Sequence, residues 1–141
     1  MFAKDTKILI ADDMKTMRII VKKALLTIGF SDITEVEDGA RGLEEFTKAA
    51  GSSKPFGLIV SDWNMPNMQG IDFLKQVRAS KTKPKTPFVL LTAESDGAQV
   101  MEAVSAGVSS YILKPFTPDQ LKEKLLIAYK KHQTPVAKTA A

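Results

Sequence analysis

The chain has 141 residues, 44% of them hydrophobic and 26% charged, an ordinary composition for one globular domain able to bury about two-thirds of its unfolded surface. With no cysteine and a single histidine, His132, a disulfide framework, thiol catalysis and Cys- or His-built metal sites are excluded, so any metal must be held by oxygen. A net charge of +4 raises nucleic acid as a partner. The lysines are dispersed, however, and the one cluster, Lys81, Lys83 and Lys85, has no interleaved aromatics, which favours a solvated surface over a binding stripe.

The first apolar run, Ile8-Leu9-Ile10-Ala11, stops at two aspartates, far short of a signal core or a membrane span, so a cytoplasmic protein with no membrane contact is expected. Four further short runs follow: 33–36, 58–60, 88–91 and 111–113. Runs of this length rich in Val, Ile and Leu suit strands buried on both faces. Helical spacing lies between them. Met14, Met17, Val21, Ala24, Leu25 and Ile28 predict a first helix stopped by Gly29. Leu43, Phe46 and Ala50 predict a second; Ile71, Leu74 and Val77 a third, with Gly70 at its start. Val100, Met101 and Val104 predict a fourth, capped by Ser95 or Asp96 and closed near Gly107. Thr117, Pro118 and Gln120 form a T-x-x-Q capping box opening a fifth, which buries Leu121, Leu125 and Ala128 or Tyr129. Strand and helix alternate five times, which predicts a single α/β domain with a doubly wound parallel sheet over residues 1–131. The stretch 50–55 reads as a loop and 132–141 as a flexible C-terminal tail, with His132 inert within it.

In such sheets ligands bind beyond the carboxyl ends of the strands. Asp12 and Asp13 follow the first strand, Asp62 the third, Thr92 the fourth and Lys114 the fifth. Three carboxylates in one small pocket repel by about 4 kcal/mol per pair at 4 Å and an effective dielectric near 20, comparable in sum to a whole domain's stability. Lys114 supplies one counter-charge. A hard divalent cation in an all-oxygen site, Mg²⁺, supplies the rest. The arrangement suits phosphoryl transfer. Asp12 and Asp13 are adjacent and can hold the metal together, Asn64 can offer its backbone carbonyl, and Asp62, standing alone, is the expected phosphoryl acceptor. The Thr92 hydroxyl and the Lys114 ammonium can each take a phosphoryl oxygen.

Asp12-Asp13, the run Asp62 to Met68 (DWNMPNM), Thr92-Ala93-Glu94 and Lys114-Pro115-Phe116-Thr117 together resemble the receiver domains of two-component response regulators, in particular the stand-alone chemotaxis type. The resemblance spans Lys7 to about Lys131. It implies a flavodoxin-like (βα)5 fold with strand order 2-1-3-4-5, an order that comes with the resemblance and not from spacing. It implies that a histidine kinase phosphorylates Asp62, with Mg²⁺ held by Asp13, Asp62 and the Asn64 carbonyl, and Asp12 acting through water. It further implies self-catalysed hydrolysis of the phosphoryl group at a rate tuned by Asn64 and Glu94. Tyr111 matches the family's switch aromatic, coupled to Thr92, and the fourth helix, fifth strand and fifth helix, including Tyr111 and Lys124, match its output face. The implied partners are a chemotaxis-type histidine kinase, a flagellar motor switch protein or another protein target, and a phosphatase. Gln69, where chemotaxis-type receivers often carry an acid, and the long 51–55 stretch depart from the pattern without touching a proposed ligand.

About ten residues follow the fifth helix, so no DNA-binding output in cis is expected, and the protein is expected to be a monomeric signalling switch and not an enzyme. A phosphorelay intermediate, or a receiver outside chemotaxis, shares the same sequence pattern. An aspartyl-nucleophile phosphatase fits less well, because the position two beyond the nucleophile, where a general acid is needed, is Asn64. A flavin or nucleotide carrier fails on charge, since Asp12 and Asp13 repel a phosphate where an anion-binding loop belongs. The isomer of the Lys114-Pro115 bond is open.

Overall fold

Each of the five apolar runs forms a strand. The computed structural model describes residues 2–93 and 97–140, with side chains through His132. Strands β1 (Ile8–Ala11), β2 (Ile33–Val36), β3 (Leu58–Asp62), β4 (Phe88–Thr92) and β5 (Ser110–Leu113) alternate with helices α1 (Lys15–Ile28), α2 (Gly39–Ala50), α3 (Gly70–Arg78), α4 (Gly97–Ser105) and α5 (Pro118–Ala140). The strands form one all-parallel sheet in the order β2-β1-β3-β4-β5, the expected flavodoxin-like arrangement. Right-handed crossovers then dictate the layers. The step from β1 to β2 runs one way along the sheet and every later step runs the other, so α1 falls on one face and α2, α3 and α4 on the opposite one.

The cores confirm this split. Ile8, Ile10, Leu58, Val60, Val89 and Leu91 pack with Val21, Ala24 and Leu25 of α1 and Leu121, Leu125 and Ala128 of α5. Leu9, Ala11, Ile59, Phe88 and Leu90 face the other way, onto Phe46, Phe73, Leu74 and Ala103, as the two-residue period of a strand requires. β1, β3 and β4 are buried along their whole length, whereas the edge strands β2 and β5 are partly exposed. That is why their sequences read less apolar. Phe73 was not singled out by the helical spacing of α3, yet it is fully buried and meets Phe88 edge to face at 5.2 Å.

Helix ends follow the sequence signals closely. Gly29, at φ 123°, closes α1 by donating to Leu25 O and Leu26 O. The capping box of α5 forms in both directions, Gln120 N–H to Thr117 Oγ1 at 3.1 Å and Thr117 N–H to Gln120 Oε1 at 2.9 Å. The Lys114-Pro115 bond is cis. The caps expected at Ser95 or Asp96 lie outside the described residues. Among the described residues no helix is long and apolar enough to cross a membrane.

Three expectations are corrected. Met14 belongs to no buried face: it is the N-cap residue of α1 and 59% exposed. In α4 the inward residue is Ala103, while Met101 and Val104 are 66% and 55% exposed. Positions 100 and 103, three apart, face the sheet, and 101 and 104 are turned one step of about 100° away from it. Lastly, α5 does not end at the boundary expected after residue 131 but continues to Ala140, and His132 is half-buried within it.

His132 has a built partner. Ser109 Oγ accepts from Phe88 N–H at 3.0 Å and from Arg78 Nη2 at 3.3 Å, so its own proton is directed at His132 Nε2, 2.7 Å away. Arg78 anchors the cluster, donating also to the carbonyls of Gly107, Pro84 and Thr86; burial lowers its pKa to about 10. Burial, followed by the charges of Arg78, Lys131 and Lys85, pushes the His132 pKa below its ordinary 6.5. A group held neutral by folding stabilises the native state above its unfolded pKa, and that contribution is lost as pH falls through the folded one. We therefore expect His132→Gln to cost about 1 kcal/mol at pH 7.5. The gap in urea midpoint between it and the wild type should close as pH drops to 5.5, and a gap independent of pH would refute the neutral His132–Ser109 bond.

Candidate functional site

The order in which strands are added reverses between β1 and β3, and the crevice at their carboxyl ends is where an open parallel sheet accepts ligands. Asp12 and Asp13 leave β1 there, Asp62 is the last residue of β3, Thr92 the last of β4, and Lys114 follows β5. Asp12 is fully buried, Asp62 is 7% exposed, and Asp13 faces solvent. One carboxylate oxygen from each of the three lies within 4.8 Å of the others. The expected trio is thus a real cluster.

Lys114 is its counter-charge. Its Nζ stands 2.8 Å from Asp62 Oδ1 and 3.7 Å from Asp12 Oδ2, with the lysine side chain 18% exposed. The ammonium is delivered from the strand beyond β4, where Thr92 pairs with Leu113 and Lys114 N–H donates to Thr92 O at 2.8 Å. Asp62 Oδ1 also accepts from Trp63 N–H at 2.9 Å, so both donors fall on the same oxygen. Asp12 Oδ1 accepts from Met14 N–H at 2.9 Å. Its Oδ2 is buried with no hydrogen bond.

The electrostatics follow from this geometry. Burial raises the Asp12 pKa above its ordinary value and Asp62 and Asp13 add to the rise, against the opposing pull of Met14 N–H and Lys114. A buried carboxylate oxygen without a hydrogen bond, facing two more carboxylates, one of them open to solvent, is a donor set suited to a hard divalent cation. The residues therefore fit Mg²⁺, and one ion's charge answers the repulsion that Lys114 alone leaves uncompensated.

The loop after β3 returns tightly to α3. Gly70 N–H donates to Trp63 O at 2.8 Å, and a Cβ at Gly70 would collide with the carbonyl of Asp62, which is why this helix starts on glycine. Asn64 is exposed, two residues beyond Asp62, while Met65 is buried and Met68 partly buried against the core, a packing role. Trp63 is 6% exposed. With Thr92, Gln99, Val100, Ala103 and Tyr111 it lines a cavity of about 10 Å³, the size of one water. Tyr111 sits between this cavity and a wider one of about 500 Å³ bordered by Leu113, Pro115, Gln120, Glu123 and Lys124. Lys124 Nζ lies 5.7 Å from the centre of the Tyr111 ring. Tyr111 and Lys124 thus meet on one face, in continuity with Thr92. Glu94 lies outside the described residues.

Two supports escaped the sequence reading. Arg18 donates to Asp12 O at 2.7 Å and pairs with Glu35 at 3.4 Å, tying the end of β1 to β2. Asp38 caps α2 through Arg41 N–H and also accepts from Asn67 Nδ2 at 2.7 Å. An Asp before a Gly and a helical run is a readable N-cap signal; the reach to Asn67 has no local signature.

Comparison with known proteins agrees with this geometry. The chain is 48% identical over 122 residues to chemotaxis protein CheY-3 of Vibrio cholerae, covering 86% of this chain and 90% of that protein. It is 42% identical over 119 residues to chemotaxis protein CheY1 of Helicobacter pylori, covering 84% and 93%. The solved structure of the chemotaxis response regulator CheY4 of Vibrio cholerae matches the fold with a TM-score of 0.78 at 31% identity, over 88% of this chain and 98% of that one. Residues 8–126 match the response regulator receiver domain, and with the acidic crevice, its lysine and the 2-1-3-4-5 sheet in place, the chain belongs to that family.

Proposed function

We propose that this receiver is a chemotaxis-type signalling switch in which Asp62 accepts a phosphoryl group from a phosphohistidine of a partner kinase. The observation that carries the reading is Asp62 itself, held by Lys114 Nζ at 2.8 Å at the switch point of the sheet, within 4.8 Å of two further carboxylates. Relatives named as chemotaxis proteins, 42 to 48% identical, support the pathway. Because both donors to Asp62 fall on Oδ1, Oδ2 is the attacking oxygen. An O–P bond forms as the P–N bond to the kinase imidazole breaks, and the imidazole leaves. Asp13, Asp62 and the Asn64 carbonyl, with Asp12 acting through water, would hold Mg²⁺, which when bound would supply charge neutralisation at the transferring oxygens. Lys114 moves its ion pair onto one phosphoryl oxygen, and the Thr92 hydroxyl donates to another. Water attack on phosphorus later breaks the Asp62 O–P bond, releasing inorganic phosphate and regenerating the carboxylate, at a rate tuned by Asn64 and Glu94.

Magnitudes set the form of the output. Shifting a two-state element from 1:99 to 99:1 takes about 5.5 kcal/mol. One hydroxyl contact contributes about 1 kcal/mol and one charged contact about 1.5 to 3. Phosphorylation alone therefore shifts the equilibrium part of the way, and partner binding completes it. The switching element is Tyr111: its neighbouring cavity of about 10 Å³ is too small for a phenol ring, so the ring turns inward only when Thr92 and α4 yield. The output is read by protein contact at Tyr111 and Lys124, with a flagellar motor switch protein as the target and a phosphatase as a further partner.

Trp63, the sole tryptophan, reports on the site directly. Mg²⁺ should change its emission in the wild type, and beryllofluoride should change it again, whereas Asp62→Asn should lose the second response. A folded wild type that answers neither ligand would refute the phosphoacceptor reading. Lys114→Met removes a cation 3.7 Å from Asp12, so Mg²⁺ should bind several-fold more tightly while the beryllofluoride response is lost; weaker Mg²⁺ binding would show that the lysine is no counter-charge. A peptide from a motor switch protein should bind the beryllofluoride form about tenfold more tightly than the free form, in line with typical coupling energies. Equal affinity would leave a phosphorelay intermediate as the reading.

A further inference from the structure

The turn between β2 and α2 touches both the end of β1 and the loop that follows β3. Asp12 N–H donates to Val36 O at 3.1 Å, and three residues further along the chain Gly39 N–H donates to Met68 O, also at 3.1 Å. Between them in sequence stands Asp38, 6% exposed. Its Oδ1 accepts from Arg41 N–H at 2.8 Å and its Oδ2 from Asn67 Nδ2 at 2.7 Å. Burial by itself raises the Asp38 pKa, but Arg41 N–H, the Asn67 amide, Ala40 N–H and the Arg41 charge together bring it below its ordinary value, so the carboxylate is ionised and the bond to Asn67 is charge-assisted.

Asn67 is chosen for its backbone as well. It is the one non-glycine among the described residues with a left-handed φ, 66°, a conformation that Asn tolerates better than most residues. That left-handed turn lies three residues after Asn64, in a loop whose near end is closed by Gly70 N–H on Trp63 O. The loop is thus tied to itself at its base and to Asp38 at its tip. A capping carboxylate needs only the Arg41 bond; the second oxygen, reaching across 29 residues, does nothing for α2.

We propose that Asp38 and Asn67 are positioning residues for the phosphoacceptor site: their hydrogen bond clamps the β3–α3 loop so that the Asn64 carbonyl is presented, already aimed, to the metal. The inference rests on the metal reading given above. Neither residue touches the ion; they act through the loop, as groups behind the ligands of metal sites commonly do.

The test titrates MgCl₂ into the purified full chain and follows Trp63 emission, with far-UV circular dichroism as the control for folding. Asn67→Asp keeps a residue that tolerates the left-handed turn and leaves the Arg41 cap intact, but sets two carboxylates against each other. Mg²⁺ affinity should fall about tenfold, the low end of such effects. Asn67→Gly, which keeps the backbone and removes the amide, should fall similarly. The exchange double variant Asp38→Asn with Asn67→Asp restores one donor and one acceptor across the same gap with roles reversed, and should recover to within about threefold of the wild type. Wild-type affinity in Asn67→Asp and Asn67→Gly, or no recovery in a folded exchange variant, would overturn the clamp. A wild type with no Mg²⁺ response would overturn the metal reading itself, and the clamp with it.

Discussion

Everything at the working edge of this protein answers to one constraint: three carboxylates brought within 4.8 Å of one another cannot be held there by packing alone. At an effective dielectric near 20 each close pair costs about 4 kcal/mol, while a domain's whole margin is about 5 to 15 kcal/mol. Lys114, 2.8 Å from Asp62 and 3.7 Å from Asp12, offsets part of that repulsion in the resting protein. The remainder leaves the crevice short of positive charge, and a divalent ion followed by a charged phosphoryl group is a succession this site can accept without refolding. A permanently neutralised site would have no such appetite for ligand.

The fold makes that tension tolerable. β1 and β3, which deliver the carboxylates, are flanked on both sides by other strands and buried on both faces, so the repulsion cannot relax by fraying an edge. The supports are backbone atoms or charged side chains anchored on neighbouring elements: Trp63 N–H and Met14 N–H on the acids, Arg18 on the carbonyl of Asp12, Asp38 and Asn67 on the loop beyond Asp62. Rigid scaffold and loaded crevice are therefore two aspects of one design, and stability is concentrated where the charge is.

How much of this was legible in the sequence depends on how local the signal was. β1, β3 and β4 announced themselves because burial on both faces forces a continuous apolar run, and the α5 capping box because its two partners are three residues apart. Asp12, Asp13, Asp62, Thr92 and Lys114 could be found because strand ends converge in a parallel sheet, so position in the chain stands in for position in space. What was hidden is long-range or geometric. The exposed side of α4 differs from its buried side by one residue step, which a nine-residue helix is too short to resolve by pattern. His132 looks like a tail residue until Ser109, 23 positions away, is brought beneath it, and the reach from Asp38 to Asn67 depends on a backbone angle that letters do not record.

The same contrast explains how a local charge event reaches a distant surface. Thr92 and Lys114 leave neighbouring strands, joined by the backbone bond from Lys114 N–H to Thr92 O, and both are expected to turn toward the phosphoryl group. Any shift of Thr92 alters the wall of the small cavity that Tyr111 shares with Trp63 and Ala103, and Tyr111 is also part of the broad groove bordered by Lys124. A packed interior transmits such a change because its cavities are too small to absorb it. With room for about one water in that cavity, inward movement of the ring requires its neighbours to shift with it, which is the coupling the proposed switch needs. In the proposed switch the phosphoacceptor crevice and the output face need no long relay between them, because Tyr111 lines both the cavity it shares with Thr92 and the groove bordered by Lys124.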